Sequence, residues 1–221
     1  MAEFNIKVPL IKGSFYDNVA AKANKDKVEN IIRPKYGDMI NRIADLVGLP
    51  SVLIESFIFI ESGGKETAQS PYGAIGLMQL NGATASDTLV FEKGAGRLDK
   101  GEIDILKKYL GSRYSLLDKV KPKQRSIGKT FVTKADLLKP EFNVLVGSIL
   151  LKQLTDEFSE NGKIRFDKVI TVYNGGRYGK AAKKVIAFKG SIDEMLSFVP
   201  KETSNYIKKL VGVNSVLDVL V

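Results

Sequence analysis

Residues 53–84 read LIESFIFIESGGKETAQSPYGAIGLMQLNGAT, and the spacing of the apolar residues at their start decides the fold. Ile54, Phe57 and Ile58 fall at i, i+3 and i+4, one stripe of a helix, and the i+7 position that should extend the stripe is Glu61. A carboxylate therefore sits on a face meant for burial. Burial disfavours the ionised form, so such a glutamate can keep its proton near neutral pH, the property a general acid needs. Gly63 and Gly64 follow, ending the helix and leaving Glu61 at its lip, within reach of a ligand. The plainer alternative is a helix-end glutamate pointing to water, since Glu is seldom buried without a partner.

Outward from this stretch, most of the chain has helical spacing. Upstream, Met39, Ile40, Ile43, Leu46 and Val47 give residues 38–47 an apolar face, and Gly48-Leu49-Pro50 stops that helix beside the next. Residues 1–35 are polar and lysine-rich and read as an N-terminal arm that either packs on the domain or stays partly mobile, with a helix over 18–32 closed by Arg33-Pro34. Downstream, Ser70-Pro71-Tyr72-Gly73 is a turn signal, and Gly73 and Gly76 permit close backbone approach before Leu77-Met78-Gln79-Leu80. That run is either a buried apolar segment with one polar interruption or a cleft edge where the Gln79 amide both donates and accepts hydrogen bonds. Residues 86–139 read as an insertion, with a helix over 102–110 and strand-like content over 125–133 that suggests a short hairpin. Further helices are expected over 141–158, ended by Asn161-Gly162, and over 166–173, 181–188 and 201–210, with the apolar 211–221 packed on the domain.

With 221 residues, 44% hydrophobic and 27% charged, the chain has the composition of an ordinary globular protein with ample core. It has no cysteine and no histidine, which removes Ser-His and Cys-His nucleophiles, histidine bases, disulfides and Cys or His zinc sites. A zinc-dependent wall hydrolase is excluded, whereas a glycan-cleaving site built on carboxylates is not. The net charge of +9 suits an anionic partner, but the lysines are scattered and carry no aromatic-interleaved nucleic-acid motif, so no nucleic-acid partner is expected. No apolar run is long enough to span a membrane, and the N-terminus lacks the features of a secretory signal.

Residues 61–85, read as E-S-G-G, then A-x-S-x-x-G-A-x-G-L-M-Q-L, then T-A, resemble the lytic transglycosylases of the soluble Slt type, and in spacing their small endo-acting members. Three later segments are similar to that family in the same order. They are Pro140, Asn143, Gly147 and Leu150; Val172-Tyr173-Asn174-Gly175-Gly176; and Pro200-Lys201-Glu202-Thr203 with Tyr206. The resemblance implies a mainly α, lysozyme-like domain of the goose-type lysozyme or SLT kind over residues 36–221, acting on peptidoglycan glycan strands without metal or cofactor. It implies that Glu61 is the catalytic acid and base. Ser62 and Ser70 would orient the glutamate or the sugar, Met78 and Gln79 would form the floor and a hydrogen-bonding group of the cleft, and Tyr173 with Asn174 would face the glutamate.

Glycoside hydrolysis ordinarily needs two carboxylates. Only Glu61 has a convincing setting. Glu55, six residues away, points about 120° elsewhere on a helix, and Glu66, Asp87 and Glu92 fall in loop-like surroundings. A single acid is also what the resemblance implies. In those enzymes the glutamate protonates the glycosidic oxygen between N-acetylmuramic acid and N-acetylglucosamine, the 2-acetamido group assists, and the same carboxylate deprotonates the C6 hydroxyl to leave a 1,6-anhydromuramoyl end. A hydrolytic muramidase on the same scaffold and a non-catalytic wall-binding virion protein remain open as alternatives. Action on the cell wall without a signal leaves three sources: a chain trimmed of its signal, a piece of a larger protein, or a bacteriophage protein delivered by the virion or released through a membrane lesion.

Overall fold

The computed structural model describes residues 7–160, 163–177 and 179–221. It is mainly helical. The helices are α1 (Asn18–Lys27), α2 (Arg33–Val47), α3 (Ser51–Ser62), α4 (Gly82–Gly94), α5 (Lys100–Leu110), α6 (Ser115–Asp118), α7 (Lys134–Leu137) and α8 (Pro140–Glu157). After a two-stranded antiparallel ribbon, β1 (Ser159–Glu160) with β2 (Lys163–Ile164), come α9 (Phe166–Gly175), α10 (Lys180–Ala187), α11 (Ile192–Met195), α12 (Lys201–Val211) and α13 (Val216–Leu220).

Helix α3 lies at the centre. Leu53, Ile54, Phe57 and Ile58 are fully buried, and so are Glu55 and Ser56 on its other face, because α2, α12 and α13 all pack on it. A helix buried all round cannot show a clean amphipathic stripe, and Glu61 lies where that burial gives out. The extended backbone of Pro50 starts α3, and Gly63, at φ 59°, ends it by donating its N–H to the Phe59 carbonyl. Truncating Phe57 to alanine would cost about 3–5 kcal/mol.

The second central helix, α8, clamps the loop that follows α3. Asn143, wholly buried, donates from Nδ2 to the carbonyls of Ile75 (2.8 Å) and Leu137 (3.0 Å) and accepts at Oδ1 from the Met78 N–H (2.8 Å). Gly76 makes this possible, since a Cβ there would stand 2.4 Å from Asn143 Nδ2 and 2.5 Å from the Leu137 carbonyl oxygen. Gly147, a turn further along α8, is needed for the same reason, because a Cβ there would meet the Met78 sulfur at 2.5 Å. The Pro-Asn-Gly signal read in the sequence is thus a clasp between α8 and residues 75–78.

Two expectations need correction. Pro34 does not close a helix: the chain runs from α1 into α2 through a π-helical turn, Val28–Ile32, in which the Arg33 N–H reaches back to the Val28 carbonyl. The wider turn lets Pro34, which has no N–H to give, enter α2 at its first turn without a clash. Where residues 1–35 are described they pack on the domain: Ile11, Val28 and Ile32 are core residues, and Leu10 and Gly13 pair with Val211 and Val213. The strand-like segment 125–133 forms no hairpin. Ser86 of α4 accepts both the Phe131 and Val132 N–H groups at 3.0 Å, Arg113 donates to the Phe131 carbonyl, and the two apolar side chains are buried, so side chains satisfy the backbone where a second strand would have. The observed ribbon lies instead after α8, and the Asn161-Gly162 stop falls outside the described residues.

Candidate active site

At the end of α3, Glu61 enters a cavity of about 260 Å³ lined by Asn174 from α9 and by Glu202, Asn205, Tyr206 and Lys209 from α12. Glu61 is partly buried there. Tyr206 donates its hydroxyl to Glu61 Oε1 at 2.5 Å. Tyr173 stands behind, donating to the Met78 carbonyl at 2.9 Å. Phe57, one turn back on α3, presents its ring to both phenols, with centroids 4.9 Å from Tyr173 and 6.2 Å from Tyr206. Glu61 therefore rests on an aromatic floor.

No cation lies within ion-pair distance of Glu61 among the described residues. Burial pushes its carboxyl up to about 7, and the Tyr206 hydrogen bond, which favours the ionised form, offsets only some of that. The acid is close to half-protonated at neutral pH, so it can give a proton and take one back. Burial, with the charge of Glu61 behind it, holds Tyr173 and Tyr206 well above 10 as protonated donors.

The other carboxylates near α3 are occupied. Glu55 is 4% exposed and takes two parallel bonds from Arg33, both at 2.9 Å; Glu66 is held by Tyr36 and Lys35. Asp87 and Glu92 belong to α4 and not to a loop, and Glu92 is paired with Arg97. Among the described residues no group of three or more Asp, Glu, His or Cys side chains is arranged to hold a metal ion.

The remaining residues singled out in the sequence are distributed unevenly. Asn174, exposed at the end of α9, lines the cavity with Glu61. Ser62 donates to the Ile58 carbonyl (3.1 Å) and accepts the Gly64 N–H (3.2 Å), which makes it a cap for α3. Ser70 accepts the N–H groups of Tyr72 and Ala74 and thereby holds the 70–74 turn. Met78 is fully buried against α8, and it is its carbonyl that reaches toward the site, so its side chain is no cleft floor. Gln79, in the left-handed region at φ 46°, donates from Nε2 to the Ala68 (3.1 Å) and Gly76 (2.9 Å) carbonyls, leaving only its oxygen free to accept. Asn205 and Lys209 were not found by sequence reading. Their signal was the polar stripe 202, 205, 206, 209 on α12, whose i, i+3, i+4 and i+7 spacing places it on one face.

Fold and site together define a lysozyme-like helical domain with one buried acid at the end of its central helix. Residues 38–103, which hold Glu61 and the loop through Gln79, match the family model of the transglycosylase SLT domain. Among solved structures it is similar to the lytic transglycosylase Slt of Pseudomonas aeruginosa, determined as an inactive glutamate-to-glutamine mutant, with 21% sequence identity and a TM-score of 0.50. The match covers 78% of this chain and 22% of that one, so this chain spans a small fraction of the larger protein. No curated protein sequence matches the chain significantly.

Proposed function

We propose that this protein is a peptidoglycan lytic transglycosylase that cleaves the β-1,4 bond between N-acetylmuramic acid and N-acetylglucosamine to leave 1,6-anhydromuramoyl ends. The observation that carries the reading is Glu61 itself, a carboxyl held near half-protonation without a neutralising cation and oriented by Tyr206. In this reaction its proton passes to the glycosidic oxygen as the C1–O bond breaks, with the substrate's 2-acetamido oxygen stabilising C1. The Glu61 carboxylate then removes the proton from the C6 hydroxyl, whose oxygen closes on C1. Proton and carboxylate are restored and no water is consumed. A group that acts first as acid and then as base works best with a pKa near the working pH.

A hydrolase would instead need a second carboxylate to position water. Glu202 is the other carboxylate lining the cavity, and it is exposed and makes no side-chain hydrogen bond among the described residues, so nothing fixes a water against it. Asn174 and Asn205 are suited to hold sugar hydroxyl and acetamido groups, and the oxygen of Gln79 can accept from one. Mass spectrometry of digested peptidoglycan tests the proposal. Anhydro-ended products, one water lighter than the corresponding reducing sugars, are expected, and reducing muramic ends would replace it with the muramidase reading.

A further inference from the structure

We propose that Lys209 determines specificity at this site by binding a carboxylate carried on the glycan strand beside the bond that Glu61 attacks, an inference that rests on the function proposed above. Lys209 shares the polar face of α12 with Glu202, Asn205 and Tyr206 and lines the cavity that Glu61 enters. At 1.5 Å rise per residue it lies about 4.5 Å along the helix axis beyond Tyr206, while Glu202 lies about 6 Å before it. The cavity thus carries its negative group at one end, its positive group at the other, and the reacting acid between them.

Lys209 differs from the paired arginines in what it is tied to. Arg33, Arg97 and Arg113 are each neutralised by a carboxylate. Lys209 has no carboxylate within 4 Å among the described residues; its Nζ stands 4.6 Å over the ring of Phe15. A ring face steadies an ammonium by about 0.5–1 kcal/mol at an exposed site and leaves its charge available. Phe15 is itself held, edge-on to Tyr16 at 5.1 Å, by a stretch of chain paired to α12's C-terminal end through Leu10 with Val211 and Ser14 with Val213. The N-terminal segment therefore aims a site cation. In its acid form Glu61 carries no charge and does not compete for that cation.

The ligand class follows from the charge. Glycans of N-acetylglucosamine alone have no carboxylate for Lys209. A muramic residue has one on its lactyl ether when the peptide stem has been removed, and a stem-bearing strand offers the carboxylates of the peptide.

Binding in the Glu61→Gln background, where turnover does not consume the ligand, tests this. Three probes are titrated calorimetrically at low and high salt: stem-free glycan strands, stem-bearing strands and N-acetylglucosamine oligomers. Adding Lys209→Met, which keeps the stem of the side chain, should weaken a carboxylated probe roughly 10-fold, remove most of its salt dependence and leave the neutral oligomer unchanged. Lys209→Arg should retain affinity, and Phe15→Leu should cost about 2–3-fold. Loss confined to the stem-free strand assigns the lactyl carboxylate, and loss confined to the stem-bearing strand assigns the peptide. An equal loss for the neutral oligomer, or no loss for either carboxylated probe in a variant with unchanged melting temperature, overturns the inference. The products of the wild type are read separately by mass, so reducing ends would remove the transglycosylase reading while the binding comparison still decides the role of Lys209.

Discussion

Glu61 and Glu141 are both carboxylates set into the helical body, and their surroundings drive them in opposite directions. Glu141, in the first turn of α8, meets Arg42 from α2 and Lys108 and Tyr109 from α5, all at 2.6 Å. Burial alone would push it up, but those three donors together outweigh burial and take it down to about 2. Among the described residues Glu61 has one neutral donor and no cation, and burial takes it to about 7. Three other buried carboxylates are also paired with arginines: Glu55 with Arg33, Glu92 with Arg97 and Asp136 with Arg113. Glu102 also lacks a cation among the described residues and is likewise pushed up to about 7, but its carboxylate accepts the Asp99 N–H as the cap of α5, whereas Glu61 stands at the mouth of a cavity, where a raised carboxyl marks a candidate for proton transfer.

The contrast should break most visibly in turnover. Glu61→Gln keeps the shape and removes the transferable proton, so initial rates on purified peptidoglycan should fall by at least about 10²- to 10⁴-fold. Glu141→Gln should leave the rate per folded molecule within about 2-fold. In stability the order of harm reverses. A raised pKa in the folded state stabilises the protonated form, so the wild type should lose stability as pH rises from 4.5 through about 7, by on the order of 1–3 kcal/mol. Glu61→Gln lacks that loss and should be the more stable protein at pH 8, as judged by denaturant midpoints.

At Glu141 the sign is opposite. Its depressed pKa contributes stability that is full above 4.5 and is lost as pH falls toward 2, so Glu141→Gln should be destabilised at pH 7 and nearly equal to wild type in strong acid. Arg42 and Lys108 are 53% and 62% exposed, so solvent screens much of the attraction and the cost should be about 1–2 kcal/mol. The smallest effect expected is that of chelators: with no metal-type cluster among the described residues, EDTA should leave the rate unchanged, and loss restored by zinc or calcium would contradict this.

How much of this could be read in the sequence depended on whether the controlling interactions are local. Helix α3, its glycine stop and Glu61 at its lip were legible because apolar spacing and the Gly63 cap are local signals. Pro34 misled because the π turn that admits it leaves no mark in residue type. Residues 125–133 misled because their apolar side chains do pack, but onto the body through Ser86 and not into a ladder. In the site, Tyr206 reaches Glu61 across 145 residues of sequence; the resemblance named it within a motif, but no local signal put it beside the glutamate. Met78 and Gln79 occupy the right loop, yet the fit against Gly147 turns one side chain into the core and two backbone carbonyls claim the amide hydrogens of the other.

The comparison rests finally on the proton affinity of Glu61. A carbon-13-detected titration of the glutamate carboxyl groups, with Glu61→Gln to assign the resonance, measures it directly, and Tyr206→Phe sharpens it by removing the bond that favours ionisation. The expected midpoint for Glu61 is about 7 in the wild type, higher in Tyr206→Phe, against about 2 for Glu141. A wild-type midpoint for Glu61 near the ordinary 4.5 would contradict the account.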